Sequence, residues 1–459
     1  MDKGKEAKIE AIYSEVLEEI KPSETETRSI IANANTVMNR LSKITGKSVE
    51  LRVAGSIARG TNLKGNADID IFMLFDKKTK REELVKRGLA YGKKLASGKR
   101  DKYEIKYAEH AYVRLYLDQV GMRIDLVPAL KIDNIEEMGT TVDRTPMHTE
   151  FVNTRFNNKQ RDHVRLLKYL LKAHNIYGAE VKIGGFPGYL CEILIYQYGS
   201  LTKLLEAASQ FKTPIVLDPI NRDAMAEPAI TKKFNSNFVV IDPVDRNRNV
   251  GAGVSTESLS RFVIVAREFI ENPNIGSFYG KGFASMKTHK MLGNYIKSTG
   301  LDFFLVVTKV PDKSEDVVWP QLRKMAQIIT EHATRSGFDM YLSIPWIKEK
   351  EGFILFVTPK NHITTRLLKG PTAFMGAAPA NFMKDHSKGL GFIVRDENVY
   401  ALEKNNYPNV KSILEDVIKG KVIEKRKDIS LKSAKLFVNE IPARYSEAAY
   451  FEICKKLMI

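Results

Sequence analysis

The sequence predicts a multidomain α+β protein. Three observations support this class: strands alternate with helices in the N-terminal third, helical periodicity dominates the middle, and strands return in the C-terminal part. The chain has 459 residues, of which 43% are hydrophobic. That length suits about three domains of roughly 100 to 200 residues, each with its own core. We expect the domains to span residues 1–150, 151–273 and 274–459.

The first domain is predicted to be a mixed α+β unit. One helix stops at Pro22, and a second starts after Ser23, with Glu26 placed as in a capping box, and ends at Gly46. Strands are predicted at residues 49–53, 67–75, 112–117 and 123–127, the last one ending at Pro128. A helix is predicted at about 81–96 and a turn at 118–121.

The other two domains differ in their periodicity. Residues 151–273 have the helical period, with helices expected around 164–171, 190–205 and 259–270 and a polar loop at 242–249. Residues 274–459 predict strands at 303–308, 340–344 and 353–357, a helix at 320–336 and a hairpin at 391–402. The basic segments 419–427 and 432–435 favour an RNA-holding role for this domain over a packing role, but charge runs are often only solvated faces.

Composition indicates a polyanionic partner and a reducing compartment. The 72 Lys and Arg residues exceed the 55 Asp and Glu residues by 17 charges, which attracts nucleic acid, although lysines can also serve solubility alone. The two cysteines, Cys191 and Cys454, exclude a disulfide framework or a thiolate metal cluster. The N-terminus lacks a signal-peptide pattern, and no run approaches the ~18 apolar residues of a membrane span. We therefore expect a soluble cytoplasmic protein.

Three aspartates are the candidate catalytic residues. Asp68 and Asp70 are two residues apart in a predicted strand, so their carboxylates face the same way. A cation can offset their repulsion, and Mg²⁺ is held by one or two carboxylates plus substrate phosphates. Asp125, in another predicted strand, offers a third carboxylate. Three carboxylates can bridge two cations about 3.5 to 4 Å apart, an arrangement that stabilises the attacking and leaving oxygens of an in-line phosphoryl displacement. Solvent-facing or hydrogen-bonded structural aspartates are the alternative.

A phosphate-binding turn is predicted at Gly55 and Ser56, twelve residues before Asp68. Glycine permits close backbone approach, and a helix start offers free N–H groups to phosphate oxygens. Arg59 and Lys64 on the same segment could neutralise a triphosphate. For Ser56 alone, an ordinary helix N-cap is the alternative.

These residues resemble the DNA polymerase β-type nucleotidyltransferase superfamily, and the longer pattern resembles the archaeal (class I) CCA-adding enzymes. The resemblance covers most of the chain. It is carried by GSIARGTNLKG at 55–65, DRTPMH at 143–148, VRLLK at 164–168, IYGAE at 176–180, GYLCE at 188–192, DPVDRNRNV at 242–250, RF at 261–262 and GP at 370–371. The chain departs from the pattern at Asn62, where relatives often carry an aromatic residue, and at 251–253, where they are richer in alanine.

The resemblance implies a polymerase-β-like head, a helical neck, and a body and tail that bind tRNA. It implies one active site with two Mg²⁺ ions that adds C, C and A to the tRNA 3′ end from CTP and ATP, without a nucleic acid template. The tRNA would be bound through its acceptor stem and TΨC arm, and the resemblance allows a homodimer. The implied metal ligands are Asp68, Asp70 and Asp125, and the implied nucleotide-binding residues are Gly55, Ser56, Arg59, Thr145, His148, Lys168, Tyr177 and Arg248.

Several of these residues also have a purely structural alternative. Arg248 could read the O2 and N3 acceptors of cytosine, or pair with Asp245 at the surface. His148 could bind a ribose or phosphate oxygen, or belong to a helix cap after Pro146. Tyr177 could pack in a core, and Lys168 could extend to solvent.

Two rival functions also fit the sequence. One is a related polymerase that adds adenylates or uridylates to RNA ends, and the other is a non-catalytic RNA-binding scaffold.

Overall fold

The computed structural model describes residues 2–65, 68–98, 101–107, 109–117, 122–221, 228–279, 298–423, 428–432 and 434–456. The chain folds into two compact units. The first comprises Met1–Ala179 with Ile183–Gly280, and the second comprises Glu180–Lys182 with Lys281–Ile459. None of the described helices combines the length and hydropathy needed to cross a bilayer.

The first unit begins with two long helices and a five-stranded mixed sheet. Its elements are α1 (Lys3–Ile20), α2 (Glu24–Thr45), β1 (Glu50–Ala54), α3 (Gly55–Ala58), β2 (Ile69–Phe75), α4 (Arg81–Leu95), β3 (Lys102–Tyr107), β4 (Ala111–Tyr116) and β5 (Arg123–Leu130), with a 3-10 turn at Gly46–Ser48. The strand order is β1-β2-β5-β4-β3. Only β2 and β5 run parallel; the other neighbours are antiparallel. The mixed α+β class is therefore confirmed.

One face of this sheet is apolar and contacts α2 and α4. Its fully buried members include Ile69, Ile71, Met73, Phe75, Val113, Leu115, Ile124 and Leu126. Each such side chain stabilises the fold by about 1.5 to 3 kcal/mol when buried. Because side chains alternate along a strand, Asp70 and Asp125 lie on the opposite face, away from this core.

The boundary between α1 and α2 follows the predicted capping signals in part. Ser23 caps α2 by accepting a hydrogen bond from Glu26 N at 3.0 Å, and Gly46 ends the helix with a φ of 66°. The capping box is not closed, however, because the Glu26 carboxylate instead accepts from Gly65 N at 2.9 Å. Glu26 thereby links the start of α2 to the loop that follows α3.

The predicted end of β5 at Pro128 is wrong, since the strand continues to Leu130. Lys131 N donates to Phe75 O and so points toward β2. Because backbone N–H groups alternate sides along a strand, the nitrogen of Pro128, three residues earlier, points toward β4. Pairing with β4 stops at Leu126, so no ladder bond is lost at the proline. The exposed edge strand β3 was not predicted. Residue 67 of the predicted second strand and the predicted turn at 118–121 lie outside the described residues.

The rest of the first unit is mainly helical. It contains α5 (Thr145–Arg155), α6 (Asn158–Ala173), α7 (Gly188–Tyr198), α8 (Leu201–Ser209), β6 (Ile215–Leu217), α9 (Pro228–Phe234), β7 (Phe238–Val240) and α10 (Thr256–Glu271), with 3-10 turns at Ile135–Glu137 and Ile275–Phe278. One apolar core joins α1 to these helices, with Val164, Leu167, Leu190, Leu204 and Phe262 among its buried residues.

The single helix predicted at 190–205 is wrong, because two helices occupy this region. Gly199 takes a left-handed conformation with a φ of 82° and ends α7. Ser200 then caps α8 by accepting from Lys203 N. Only two residues therefore separate α7 from α8. The short parallel pair β6–β7, which lies further along the chain, was also not predicted.

The second unit is the C-terminal α+β part. It contains β8 (Leu301–Lys309), α11 (Glu315–Arg335), β9 (Leu342–Lys348), β10 (Glu351–Pro359), β11 (Thr365–Thr372), α12 (Ala378–Asp385), β12 (Gly391–Arg395), β13 (Asn398–Lys404), α13 (Val410–Ile418), β14 (Lys435–Val438) and α14 (Ala443–Lys456). Its two sheets have the orders β14-β8-β10-β9 and β11-β13-β12.

The hairpin predicted at 391–402 is confirmed as β12 and β13. The helix predicted to start at Pro320 starts earlier, at Glu315, with the proline inside it. In the predicted basic segments, residues 424–427 and 433 lie outside the described part of the chain.

Candidate active site

The sheet places two of the three predicted aspartates side by side. β2 and β5 are parallel, and Asp70 is directly opposite Asp125 in their register. Asp125 is only 8% exposed. Loss of solvation, reinforced by the Asp125 carboxylate, raises the pKa of Asp70 to about 7. The charge of the Asp70 carboxylate is thus incompletely neutralised by its surroundings.

The third aspartate, Asp68, is paired with a cation. Asp68, just before β2, forms an ion pair with Arg123. Asp125 itself accepts two hydrogen bonds from Arg114, Nε to Oδ1 and Nη2 to Oδ2, each at 2.7 Å. Among the described residues, no group of three metal-ligating side chains is assembled. The Asp70–Asp125 pair nevertheless fits a divalent cation, because a shared cation would neutralise two carboxylates of which one has a raised pKa.

The predicted phosphate-binding turn lies against Asp70. Ala54, the last residue of β1, is opposite Asp70, and the chain then turns into α3. Gly55 has a φ of 72°, and a Cβ there would lie 2.9 Å from Asp70 Cγ. Only glycine therefore allows this approach. Ser56 follows in the single turn of α3, and its carbonyl accepts from Thr61 N at 2.9 Å.

Helix α6 fixes the loop that follows α3. Three of its cationic side chains, spaced about one turn apart, donate to carbonyls of residues 59–62. The bonds are Arg161 Nε to Arg59 O at 3.0 Å, Arg165 Nε to Asn62 O at 3.0 Å, Arg165 Nη2 to Gly60 O at 2.5 Å and Lys168 Nζ to Thr61 O at 3.0 Å. The position of Arg59 is thus set by the helical part of the unit.

A buried glutamate organises two predicted nucleotide-binding residues. Glu192 has no exposed surface; its Oε1 accepts from Arg59 Nε at 3.0 Å and from Thr61 Oγ1 at 2.6 Å. Lys168 Nζ lies 3.7 Å from the same oxygen and donates to Thr61 Oγ1 at 3.1 Å. Burial lowers the pKa of Lys168, which is 2% exposed. The alternative in which Lys168 extends to solvent is therefore wrong.

A second buried acid, Asp242, collects another group of predicted site residues. Its carboxylate accepts from His148 Nε2 at 3.0 Å, from Arg248 Nη1 at 2.9 Å and from the Tyr189 hydroxyl at 3.0 Å. The His148 and Tyr189 rings stack with centroids 3.9 Å apart. Arg248 therefore pairs with Asp242 rather than with Asp245.

The predicted residues Thr145 and Tyr177 lie beside these clusters. Thr145 is the first residue of α5, the helix that carries His148. Tyr177 forms a β-bridge with Phe186, and its hydroxyl lies 3.2 Å from the position of a Cβ at Gly188. The same position is 3.7 Å from Lys168 Nζ, so Tyr177 and Lys168 border one small space beside the glycine.

Three organising residues, Glu192, Asp242 and Tyr189, were not among the predicted site residues. A signal was present for two of them: Glu192 interrupts the apolar run 189–196, and Asp242 follows the apolar residues 238–241. A charge placed in an apolar segment must be compensated by partners, but sequence alone does not name those partners.

Known families match along the chain. A model described as nucleotidyltransferase domain matches residues 34–152, one described as tRNA nucleotidyltransferase, second domain, matches 162–279, and one described as CCA-adding enzyme, C-terminal domain, matches 299–431. The CCA-adding enzyme of Methanocaldococcus jannaschii is 34% identical over 431 residues, which cover 90% of this chain and 91% of that protein. That of Archaeoglobus fulgidus is 37% identical over 349 residues, covering 76% of each.

The chain belongs to the CCA-adding enzyme family. Membership confirms the resemblance and the enzyme class predicted from the sequence, and a CCA-adding enzyme takes nucleotide substrates. In the comparison with solved structures, a Cid1 poly(U) polymerase matches with a TM-score of 0.48 and 16% identity, over 59% of this chain and 98% of that one. The roles of the individual site residues stay predictions.

Proposed function

We propose that this CCA-adding enzyme extends the 3′ end of tRNA with C, C and A, using CTP and ATP without a nucleic acid template. The observation that carries the proposal is the register of Asp70 opposite Asp125, with the Gly55 turn packed against Asp70. A paired carboxylate site next to a turn that offers backbone N–H groups suits nucleotidyl transfer.

The carboxylates would hold two Mg²⁺ ions. Asp70 and Asp125 are already adjacent, and Asp68 would join them after leaving Arg123. When bound, Mg²⁺ neutralises phosphate charge and lowers the pKa of a coordinated hydroxyl. Arg114 holds Asp125 in a fixed orientation through both carboxylate oxygens.

The incoming nucleotide would lie between the turn and the two buried acids. Gly55, Ser56 and Arg59 are proposed to bind the triphosphate, where the Nε of Arg59 is held by Glu192. The remaining nucleotide-binding residues would surround the sugar and phosphates and, in the case of Arg248, contact the base; they are Thr145, His148, Lys168, Tyr177 and Arg248. In support, the guanidinium carbons of Arg59 and Arg248 lie 6.0 and 5.9 Å from the Tyr189 ring centroid. These side chains therefore converge on one aromatic ring.

The domains would divide the work. Residues 1–150 would form the catalytic head and 151–273 the neck that completes the nucleotide pocket. Residues 274–459 would form the body and tail that bind the acceptor stem and TΨC arm of tRNA. The net charge of +17 favours phosphate contacts, so tRNA affinity should fall steeply as salt rises. The proposed location is the cytoplasm, and a homodimer is the assembly to test.

The test is extension of a tRNA transcript that ends before CCA, with Mg²⁺ and all four nucleotides, resolved at single nucleotides. The wild-type chain should add C, C and A and then stop. Asp70→Asn should abolish incorporation while leaving tRNA binding intact. Asp76→Asn, which alters an exposed aspartate just beyond the same strand, is the matched control and should remain active.

Other products would indicate a different activity. A long adenylate or uridylate tail would move the activity to the related RNA-end polymerases. An absence of extension by the folded wild-type chain would favour a non-catalytic RNA-binding scaffold.

A further inference from the structure

Asp242 has no exposed surface, yet four donors converge on its two carboxylate oxygens. The Tyr189 hydroxyl and Val244 N donate to Oδ1, at 3.0 and 2.9 Å. His148 Nε2 and Arg248 Nη1 lie 3.0 and 2.9 Å from Oδ2. Burial alone would raise the pKa of Asp242, but the hydrogen bonds from His148, Val244 and Arg248 outweigh it and hold the pKa below its usual range. Asp242 is therefore ionised, and each of its two carboxylate oxygens accepts two hydrogen bonds.

These contacts restrict the orientation of Arg248. Its backbone closes the loop on Asp242, because Asp242 N donates to Arg248 O at 3.0 Å. Its guanidinium group is bound at Nη1, and its side chain keeps 29% exposure. The guanidinium carbon lies 5.9 Å from the Tyr189 ring. One terminal nitrogen is thus anchored to a buried charge while part of the side chain still reaches solvent.

We infer that Asp242 is a positioning residue for base selection, because it holds Arg248 in the orientation that discriminates between nucleotides. The inference rests on the proposed role of Arg248 at the incoming base. Cytosine and adenine present a ring-nitrogen acceptor on the pairing edge, whereas uracil and guanine present an N–H donor there. A guanidinium group offers donors only. If Arg248 cannot rotate away, its N–H donors face the N–H donor of uracil or guanine and find no acceptor there. These unpaired donors disfavour binding of uracil and guanine.

The Asp242 carboxylate restricts the rotation of the Arg248 guanidinium group on which this selection depends. Turning Arg248 toward another position would break a charge-assisted hydrogen bond to a buried anion, which is among the stronger hydrogen bonds in proteins. Asparagine at this position keeps the size of the side chain but removes the charge and one acceptor oxygen. The guanidinium group would then be free to adapt to either kind of base.

The test compares kcat and KM for CTP and UTP separately, on a tRNA that lacks CCA, for wild type and Asp242→Asn. The ratio of kcat/KM for CTP to that for UTP should fall by about tenfold to a hundredfold, the range that a discriminating side-chain contact to a base commands. Asp245→Asn is the control: Asp245 lies in the same loop and is also buried, but its carboxylate accepts from Arg144. That variant should keep the wild-type ratio.

The outcomes separate the inference from the proposed function. If kcat falls equally for both nucleotides and the ratio stays at the wild-type value, Asp242 is only structural and the inference is overturned. If Asp242→Asn does not fold, as judged by circular dichroism, Asp242→Glu replaces it. That variant keeps the charge but displaces the carboxylate, and an unchanged ratio there overturns the inference equally. A wild-type chain that adds no CCA refutes the proposed function instead.

Discussion

Replacing Gly55 with alanine should disable the active site through one added methyl group. At the φ of +72°, a Cβ would lie 2.9 Å from Cγ and 3.3 Å from Cβ of Asp70, and nearer still to its Oδ2. Carbon atoms in contact are normally about 3.5 to 4.0 Å apart. Either the Asp70 carboxylate or the turn must therefore move by about 1 Å.

The size of the effect follows from these distances. A positive φ costs a residue other than glycine about 1 to 2 kcal/mol, and an off-rotamer Asp70 adds about 0.5 to 1.5 kcal/mol. The free energy of unfolding should therefore fall by about 1.5 to 3.5 kcal/mol. A misplacement of about 1 Å at a reacting centre can cost about 100-fold in rate. We expect kcat/KM for CTP to fall by about that factor, with tRNA affinity unchanged.

Gly65→Ala is the matched control. Gly65 also has a positive φ, +67°, but nothing lies within 4 Å of the position of its Cβ. It should therefore incur the backbone cost without disturbing Asp70. Urea unfolding, filter binding of tRNA and rapid-quench measurement of CMP incorporation supply the three quantities. If Gly55→Ala incorporated CMP as fast as Gly65→Ala does, the close packing of Gly55 on the carboxylate would be refuted.

Two further predictions concern the buried acids. Glu192→Gln should lower the free energy of unfolding by about 3 to 5 kcal/mol, because it leaves buried cations without a counter-charge. Urea unfolding measures this loss, and Glu24→Gln, which alters an exposed ion pair, is the control. A loss no larger than that of the control would contradict the buried network. Burial lowers the pKa of His148, outweighing the raising effect of its bond to Asp242. Folding then favours the neutral ring, so this stability is present above the ordinary pKa of about 6.5 and is lost as pH falls below it. His148→Gln should remove that acid sensitivity. If the free energy of unfolding of the variant falls between pH 8 and pH 5.5 by as much as that of the wild type, His148 is not its source.

The placement of Asp70 on the face opposite the apolar core could be predicted, because strand periodicity is local. The register of Asp70 opposite Asp125 could not, since it depends on parallel pairing between segments more than 50 residues apart. The break between α7 and α8 had a local signal, a glycine followed by a capping serine, but the apolar period of the flanking residues concealed it. Pro128 shows the opposite case. A proline usually ends a strand, but the pairing of β5 with β4 already stops at Leu126, so β5 continues beside β2 without losing a ladder bond.

Lys168 shows why burial at the site escaped prediction. On a helix a lysine normally extends to solvent, but Lys168 meets a carbonyl and a buried carboxylate that come from distant parts of the chain. The energetic reason for its burial is therefore tertiary. The same holds for Arg248, whose partner could be either of two aspartates in the loop, and only the fold distinguishes Asp242 from Asp245.

The acids of this unit differ in how their charge is compensated, and that difference suggests which of them can bind a cation. Asp242 is surrounded by fixed donors that hold its pKa low, so a cation would have to displace bonds already made. Asp70 has a raised pKa, because burial and Asp125 outweigh the lowering effect of Arg59 and Arg114. A divalent cation gains most beside a carboxylate whose charge is not yet compensated, and least where hydrogen bonds already compensate the charge. We therefore expect a cation to bind beside Asp70 in the sheet pair, and Asp242 to orient its neighbours.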